Sequence, residues 1–352
     1  MMAGKKPDKE QAQQDRTRSF RPVVWRILIY LAAAAILAWV FHDIDLHKIL
    51  KQLDRISWGL VLLAVAVHFL SYLSQGARWS FLLHPVGKFS FLRATQAIYI
   101  GLLANEILPF RAGEIVRIFL ASRWLSVKFV AAIPSVIVGR VMDGIWMALA
   151  VAFSTAFVTL PGFFVKSVEL FSAVLLGMIV VFILIVVRGD KNMAIGAAGK
   201  IFRWKAMRAV SLFFARLVTG FRAIGFSRYL FLSFLFSLLF IFLQFLPLWI
   251  LMQAYGIHLS LLPGAVVFLI LALSTAIPNT PSNIGTYQFF LVIGLSLFDV
   301  SKTTAAGFSI VAFVMLTMPI WIIGFAALAM EGINLSSIRK EIQRLKRKSY
   351  SE

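Results

Sequence analysis

Asn105-Glu106-Ile107-Leu108-Pro109-Phe110-Arg111-Ala112-Gly113-Glu114-Ile115-Val116-Arg117 sets four ionisable side chains and a Pro-to-Gly break between two short apolar runs. The run before it, Ala94 to Leu108, holds 15 residues. As a helix it measures about 22 Å at 1.5 Å per residue, and it stops at Pro109, whose missing N–H and bulky ring end a helix. The run after it passes through Ile115, Ile118, Phe119 and Leu120 to Lys128 and is of similar length. Neither half crosses a hydrocarbon core about 30 Å thick.

A second stretch repeats the arrangement. Leu262 to Ile277 is apolar, Pro278-Asn279-Thr280-Pro281-Ser282-Asn283-Ile284-Gly285 breaks it, and Thr286 to Leu297 resumes. Pro109-x-x-x-Gly113 and Pro281-x-x-x-Gly285 share a spacing, and each pair of short runs is followed by one long apolar span. Broken backbone at membrane depth is tolerated where it is buried in protein or lines a hydrated cavity, so each pair is read as a re-entrant helix hairpin. The rival reading makes every half a full span.

The rest of the chain supplies the membrane context. Of its 352 residues 60% are hydrophobic and 14% charged, and the mean hydropathy of +0.87 is far above that of a soluble domain. Val23 to Phe41, Trp58 to Gln75, Val168 to Val187, Tyr229 to Met252 and Thr304 to Met330 approach the roughly 20 apolar residues that a spanning helix needs. The first of these is too long for a usual signal peptide and lacks a small-x-small cleavage site, so it reads as a retained helix. The net charge of +20 does not point to nucleic acid, because the basic residues lie in loops between apolar spans. The absence of cysteine excludes disulfides, thiolate metal sites and cysteine catalysis. The five histidines show no metal-ligand spacing, and no cofactor is implied.

Loop charge sets the orientation, because Lys and Arg accumulate in loops that stay cytoplasmic. Residues 1–26 carry seven basic and three acidic residues, 76–93 three and none, 188–228 nine and one, and the tail from Arg339 six and two. Residues 42–57 are balanced at three and three, 161–169 hold Lys166 and Glu169, and 253–260 hold no charge, so these face outward. Residues 1–22 thus read as a cytoplasmic basic tail and 23–330 as a single transmembrane domain with a cytoplasmic basic connector at 188–228. Residues 331–352 read as a cytoplasmic basic amphipathic tail, and both termini are expected on the cytoplasmic side of a prokaryotic plasma membrane. Leu46, Ile49, Leu50, Leu53 and Ile56 give the outer segment the spacing of a short surface helix. The expected fold is all-α and polytopic, with about six to eight spanning helices plus two re-entrant hairpins in an inverted repeat.

Glu106, Arg111, Glu114, Arg117, Arg140 and Asp143 lie within or beside apolar segments, where an ionisable group costs a few kcal/mol or more, so they must face protein or water. A half-helix starting near Gly113 would aim its free N–H groups and positive dipole end into the break, where an anionic head group can bind. Arg111 and Arg117 add guanidinium donors suited to phosphate. Glu114 neutralises an arginine, caps the half-helix, or takes a proton or a cationic head group. Glu114 with Arg117, and Arg140 with Asp143, are each three apart and could instead simply pair with each other. The second break offers Asn279, Ser282, Asn283, Tyr287 and Gln288, which are neutral, and helix capping explains some of them.

At these residues the chain resembles the transmembrane region of the lysylphosphatidylglycerol synthase family, also called flippase-like integral membrane proteins. The resemblance is carried by Asn105-x-x-x-Pro109-x-Arg111-x-Gly113-Glu114-x-x-Arg117, by Arg140-x-x-Asp143, and by Pro278-x-x-Pro281-x-x-x-Gly285-Thr286-Tyr287. It spans the chain from about Val23 to Met330. The family's second motif usually reads Pro-Gly-x-x-Gly with a Glu shortly after. Here Ser282 replaces that glycine and Gln288 stands in place of the acid, which speaks against proton coupling there. About twenty residues follow Met330, so the aminoacyl-transferase domain of bifunctional members is not expected on this chain.

The resemblance implies translocation of a phospholipid or lipid-linked anion between leaflets, with Arg111, Arg117 and Arg140 receiving the phosphate. Asn105, Glu106, Pro109, Gly113, Glu114, Asp143, Pro281, Asn283, Gly285, Tyr287 and Gln288 complete the expected substrate contacts. The expected partners are membrane lipids that are anionic or phosphate-bearing. The competing expectation is an accessory membrane subunit that positions a separate glycosyl- or aminoacyl-transferase. A membrane enzyme acting on a lipid carrier is the weaker third, since no nucleophile–base pair or metal cluster is visible in the sequence.

Overall fold

Helices α3 (Trp58–Leu83), α6 (Phe129–Thr155), α9 (Arg228–Ala254) and α12 (Lys302–Met330) have 26 to 29 residues each and are long and apolar enough to cross a membrane. At 1.5 Å per residue each exceeds the roughly 30 Å core. Between them lie the shorter α4 (Phe91–Ile107) and α5 (Gly113–Trp124), and α10 (Leu261–Ser274) and α11 (Thr286–Ser296). The apolar α1 (Leu31–Phe41), the short α2 (Leu46–Asp54), α7 (Gly162–Arg188) and α8 (217–224) complete the helices among the described residues. This computed structural model describes residues 31–107, 113–158, 162–188, 217–274 and 283–331, and among them there is no strand. The protein is an all-α polytopic membrane protein.

Local chemistry sets several boundaries. The Asp45 side chain accepts the Lys48 N–H at 3.1 Å and starts α2, while the Ser227 and Ser301 hydroxyls cap α9 and α12 in the same way. Pro134, Pro247 and Pro319 lie inside α6, α9 and α12. Spanning helices tolerate such prolines because neighbouring groups satisfy the freed carbonyls.

The packing is built from two halves that run in opposite directions. Along α3 and α9, the Ser57 N–H donates to the Ala254 carbonyl at 3.2 Å, Ser74 Oγ to the Phe236 carbonyl at 3.3 Å and Ser233 Oγ to the Arg78 carbonyl at 3.3 Å, and the His84 ring stacks on Tyr229 at 4.0 Å. The two helices are therefore antiparallel over their whole length. Every other pairing in this core has a counterpart in the opposite half: α4 on α5 with α10 on α11, α3 on α4 with α9 on α10, and α5 on α6 with α11 on α12. The same holds for α4 on α12 with α10 on α6, α3 on α6 with α9 on α12, and α6 on α9 with α12 on α3. Matching pairings around an antiparallel pair of equivalent helices are the pattern of an inverted repeat.

From the starts of α5 and α11 onward an offset of 173 residues links the halves, one more than the 172 that separates the tip glycines Gly113 and Gly285. Ser126 and Asp299 both hold left-handed backbone, at φ 55° and 58°, in the turns after α5 and α11. Pro134 and Gly307 occupy the same position on α6 and α12, where Pro134 packs against Gly220 of α8 and Gly307 against Ile49 of α2. Each half thus lays its short surface helix on the other half's final span. The bulky partner is on the span in one case and on the surface helix in the other.

Two boundaries differ from expectation. Helix α3 continues eight residues beyond Gln75 to Leu83, so Arg78, expected in a cytoplasmic loop, lies inside a spanning helix and is only 3% exposed. Trp79 and Phe81-Leu82-Leu83 keep the segment apolar, and an ion pair across to α6 neutralises the arginine. Helix α5 ends at Trp124 rather than running to Lys128, because Ser126 turns the chain. The basic connector up to residue 216 and the C-terminal tail from residue 332 lie outside the described residues.

Candidate functional site

The first hairpin closes on two glycines. A Cβ on Gly113 would collide with the Gly101 carbonyl oxygen and the Asn105 side chain, and one on Gly101 would strike the Arg117 side chain. The resulting contact lets Asn105 Oδ1 accept the Gly113 N–H at 2.7 Å. At the other end of the pair, the Arg93 guanidinium lies 6.0 Å from the Trp124 ring centroid and Phe89 stacks on the same indole. Thus α4 and α5 form an antiparallel hairpin held at tip and base.

That hairpin presents Glu114 and Arg117 to α6, and a charged chain runs across three helices. Arg117 Nη1 lies 3.3 Å from Glu114, Glu114 pairs with Arg140, and Arg140 Nη1 lies 3.8 Å from Asp143. Asp143 in turn takes both terminal nitrogens of Arg78, one of which also donates to Ser237 Oγ at 3.0 Å. Each i,i+3 pair anticipated from the sequence forms, but each is one link in a longer chain. Three arginines face two carboxylates, leaving one surplus positive charge in apolar surroundings, where charge is costly and marks function.

The three arginines are not equivalent. Arg117 lies over the Trp79 ring at 4.6 Å and Arg78 over Phe240 at 5.1 Å, and both residues are buried. Cation–π contact and carboxylate pairing fix them in place. The Arg140 side chain is 56% exposed. It is the member of the chain that a ligand can reach.

The second hairpin has the same plan with different chemistry. Close packing of Gly294 on Val267 and Ile270 sets α10 and α11 side by side in antiparallel. The tip turns at Asn283, with φ 54°, and Gly285, with φ 92°. The Gly285 N–H donates to Gln288 Oε1 at 2.8 Å, and Thr286 Oγ1 donates to the Asn283 carbonyl at 3.0 Å. Gln288 therefore works here as a cap. Tyr287 packs edge-to-face on Phe313 with ring centroids 5.5 Å apart. By the 173-residue offset, Tyr287 and Phe313 stand where Glu114 and Arg140 stand in the first half, and Leu316 stands at the position of Asp143.

Between the two tips lies a buried polar and aromatic cluster centred on Tyr72, near the middle of α3. The rings of His68 and Tyr99 pack on Tyr72 at 4.9 and 5.5 Å. Glu106 and Tyr287 lie within electrostatic reach of it, and Gln244 of α9 faces its hydroxyl. Among the described residues, Gln75 Oε1 and Tyr287 Oη have no hydrogen-bond partner.

The structure thus brings Asn105, Gly113, Glu114, Arg117, Arg140 and Asp143 to the first hairpin and its facing span. Glu106 and Tyr287 turn to the centre, while Asn283, Gly285 and Gln288 shape the second tip. Pro109, Arg111 and Pro281 lie outside the described residues. Arg78, Trp79, Tyr72 and His68 are additions that the sequence reading missed. The available signal for Arg78 was a lone charge inside Gly76-Ala77-Arg78-Trp79-Ser80-Phe81-Leu82-Leu83, an otherwise weakly polar run.

Comparison with known proteins agrees with the motif resemblance. The sequence profile of the family described as the lysylphosphatidylglycerol synthase TM region matches residues 23–329. The chain is also similar to a UPF0104 membrane protein of Methanocaldococcus jannaschii, 24% identical over 295 residues that cover 80% of this chain and 86% of that protein.

Proposed function

The chain belongs to the lysylphosphatidylglycerol synthase transmembrane-region family, and from that premise we propose that it carries a phospholipid or a lipid-linked anion between leaflets of the plasma membrane. The observation that supports this best is the charged chain through Arg140. Its surplus of one positive charge matches the single negative charge of a phosphodiester, and its exposed member offers a planar fork of donors that a phosphate oxygen pair can take. On arrival the phosphate replaces carboxylate oxygens at Arg140. Arg117 and Arg78 keep Glu114 and Asp143 in position while this happens.

In this reading both hairpins are re-entrant. Helices α4 and α5, with 17 and 12 residues, measure about 26 and 18 Å and stop short of the roughly 30 Å core. The loop charges support cytoplasmic termini, with the base of the first hairpin on the cytoplasmic face and the base of the second outside. The two tips then meet near the midplane at the Tyr72 cluster, the place where inverted-repeat carriers bind their cargo. The acyl chains stay in lipid while the head group passes along the polar side. No bond of the lipid is broken in this cycle.

The test is a leaflet-specific assay of a fluorescent phospholipid in liposomes holding the purified protein. Wild type is expected to transfer the lipid, and Arg140→Ala and Glu114→Gln to lose transfer while remaining folded. Inactive wild type that instead co-purifies stably with a glycosyl- or aminoacyl-transferase would replace transport by the accessory role. Because the chain has no cysteine, single cysteines at Phe110 and Ser282 check the topology. Full labelling of the two from opposite membrane surfaces would rule out re-entrant tips.

A further inference from the structure

A second lipid contact lies away from the charged chain. An apolar groove of about 720 Å³ runs between α6, α7 and the start of α9, within the volume range of small-molecule sites. Val141 and Ile145 line it from α6, Gly177 and Val181 from α7, and Leu230 and Phe231 from α9. Val141 and Ile145 are four apart and share one face of α6, whereas Asp143 points to the opposite face and meets Arg78. The groove is therefore separate from the Arg140 site, although it reaches the same depth.

The groove exists because α7 packs on α6 without closing on α9. A Cβ on Gly177 would meet nothing within 4 Å. Its walls are large apolar side chains left open, with Val181 and Phe231 55% and 63% exposed. Along α9 the lining runs from Ser227 to Phe234, about 10 Å at 1.5 Å per residue. In a bilayer such a slot is not filled by water, because its walls offer almost nothing for water to bond to.

Charge at the mouth selects the occupant. Phe221 of α8 and Ser227 at the start of α9 line the end of the groove where the two helices meet, and Arg222 and Arg228 directly follow them in the chain. Among the described residues neither arginine is ion-paired to a carboxylate. Among the described residues Arg228 donates to the neutral Tyr229 hydroxyl, at 3.1 Å, and the first turn of α9 holds no acid. We propose that the groove is a binding site for one acyl chain of an anionic phospholipid, whose phosphate is held by Arg222 and Arg228. The bound chain wedges α7 against α6 and α9, in the role of a structural lipid rather than of transported cargo.

The site stands apart from the transport reading, and its test separates the two. Protein purified in a mild detergent is offered equal amounts of phosphatidic acid and phosphatidylcholine and examined by native mass spectrometry. In the Arg140→Ala background, which silences the charged chain, the expected spectrum retains one phosphatidic acid per protein, favoured about ten-fold over phosphatidylcholine. Gly177→Phe, whose Cβ meets nothing within 4 Å, places a ring in the slot and is expected to reduce that adduct at least about five-fold, with an unchanged melting profile in detergent. Val181→Trp is the second filling variant, should the first misfold. Arg222→Ala with Arg228→Ala is expected to abolish the preference for the anionic lipid. Phosphatidic acid carrying a photoreactive group in mid-chain is expected to cross-link to peptides of α6, α7 and α9. The proposal is overturned by wild type that retains no lipid, by adducts indifferent to both filling variants, by equal retention of the two lipids, or by filling variants that instead dissolve a dimer of this chain.

Discussion

At one place in the repeat the first half sets Glu114 against Arg140, and the second half sets Tyr287 against Phe313. The backbone scaffolds around the two contacts are alike: an antiparallel pair of short helices, an amide side chain capping the second one, a left-handed turn and a final span. What differs is the price of burial. The aromatic pair is at home in an apolar medium, whereas the ion pair is tolerated only because Arg117, Asp143 and Arg78 extend it into a chain with nearly balanced charge. A duplicated fold can thus hold a charged cluster on one side and a packing contact on the other, and under the proposed function it is the first hairpin that takes the anion.

The largest effect should follow from giving the first half the residue of the second at the Asp143 position. Asp143→Leu leaves Arg78 buried without a carboxylate, and thermal unfolding in detergent is expected to show a loss of about 3–5 kcal/mol. Adding Arg78→Leu is expected to recover most of it, because removing both partners removes the stranded charge. Persistent instability in the double variant would mean that the pair itself, rather than the unpaired arginine, supplies the stability.

Next come the two tip glycines. Gly113→Ala drives a methyl group into the Gly101 carbonyl and Asn105, and is expected to cost about 3 kcal/mol through overpacking. Gly285→Ala places an L-residue at φ 92°, and is expected to cost about 1–2 kcal/mol in backbone strain. Equal losses would show that the two tips are packed alike.

Grafting the charges sharpens the comparison further. Tyr287→Glu and Phe313→Arg should each destabilise alone, and the double variant should be more stable than their sum by about 1–3 kcal/mol if the two positions correspond. Additive losses would break the 173-residue register at this contact. The smallest effects belong to the shared feature: Asn105→Ala and Gln288→Ala remove one cap each and are expected to cost about 1 kcal/mol apiece in the same unfolding assay.

These contrasts also mark what the sequence discloses. The two breaks were legible because proline and glycine act locally, and helix bounds such as Gly113 and Thr286 follow from them directly. The i,i+3 pairs were legible because helical spacing alone makes them neighbours. Arg78 was not, since its partner Asp143 is 65 residues away and only the packing of α3 on α6 joins them. Without that partner a charge at the end of an apolar run reads as a loop residue. The Tyr72 cluster escaped for the same reason, as it draws on α3, α4, α9 and α11, and no single helix carries enough polarity to announce it. The correspondence of Glu114 with Tyr287 needed the matching left-handed turns at Ser126 and Asp299 to fix the register, since the two halves differ in chemistry at that contact.

The measurement that bears most directly on the unequal halves is lipid transfer by matched variants in liposomes of one composition, with Arg140→Leu in the first half and Phe313→Leu in the second. If the first hairpin handles the phosphate, Arg140→Leu loses transfer by about a hundred-fold, as expected for the loss of a charge-assisted contact of about 3 kcal/mol, while Phe313→Leu stays near wild type. Equal rates in the two variants, or loss confined to Phe313→Leu, would contradict the assignment.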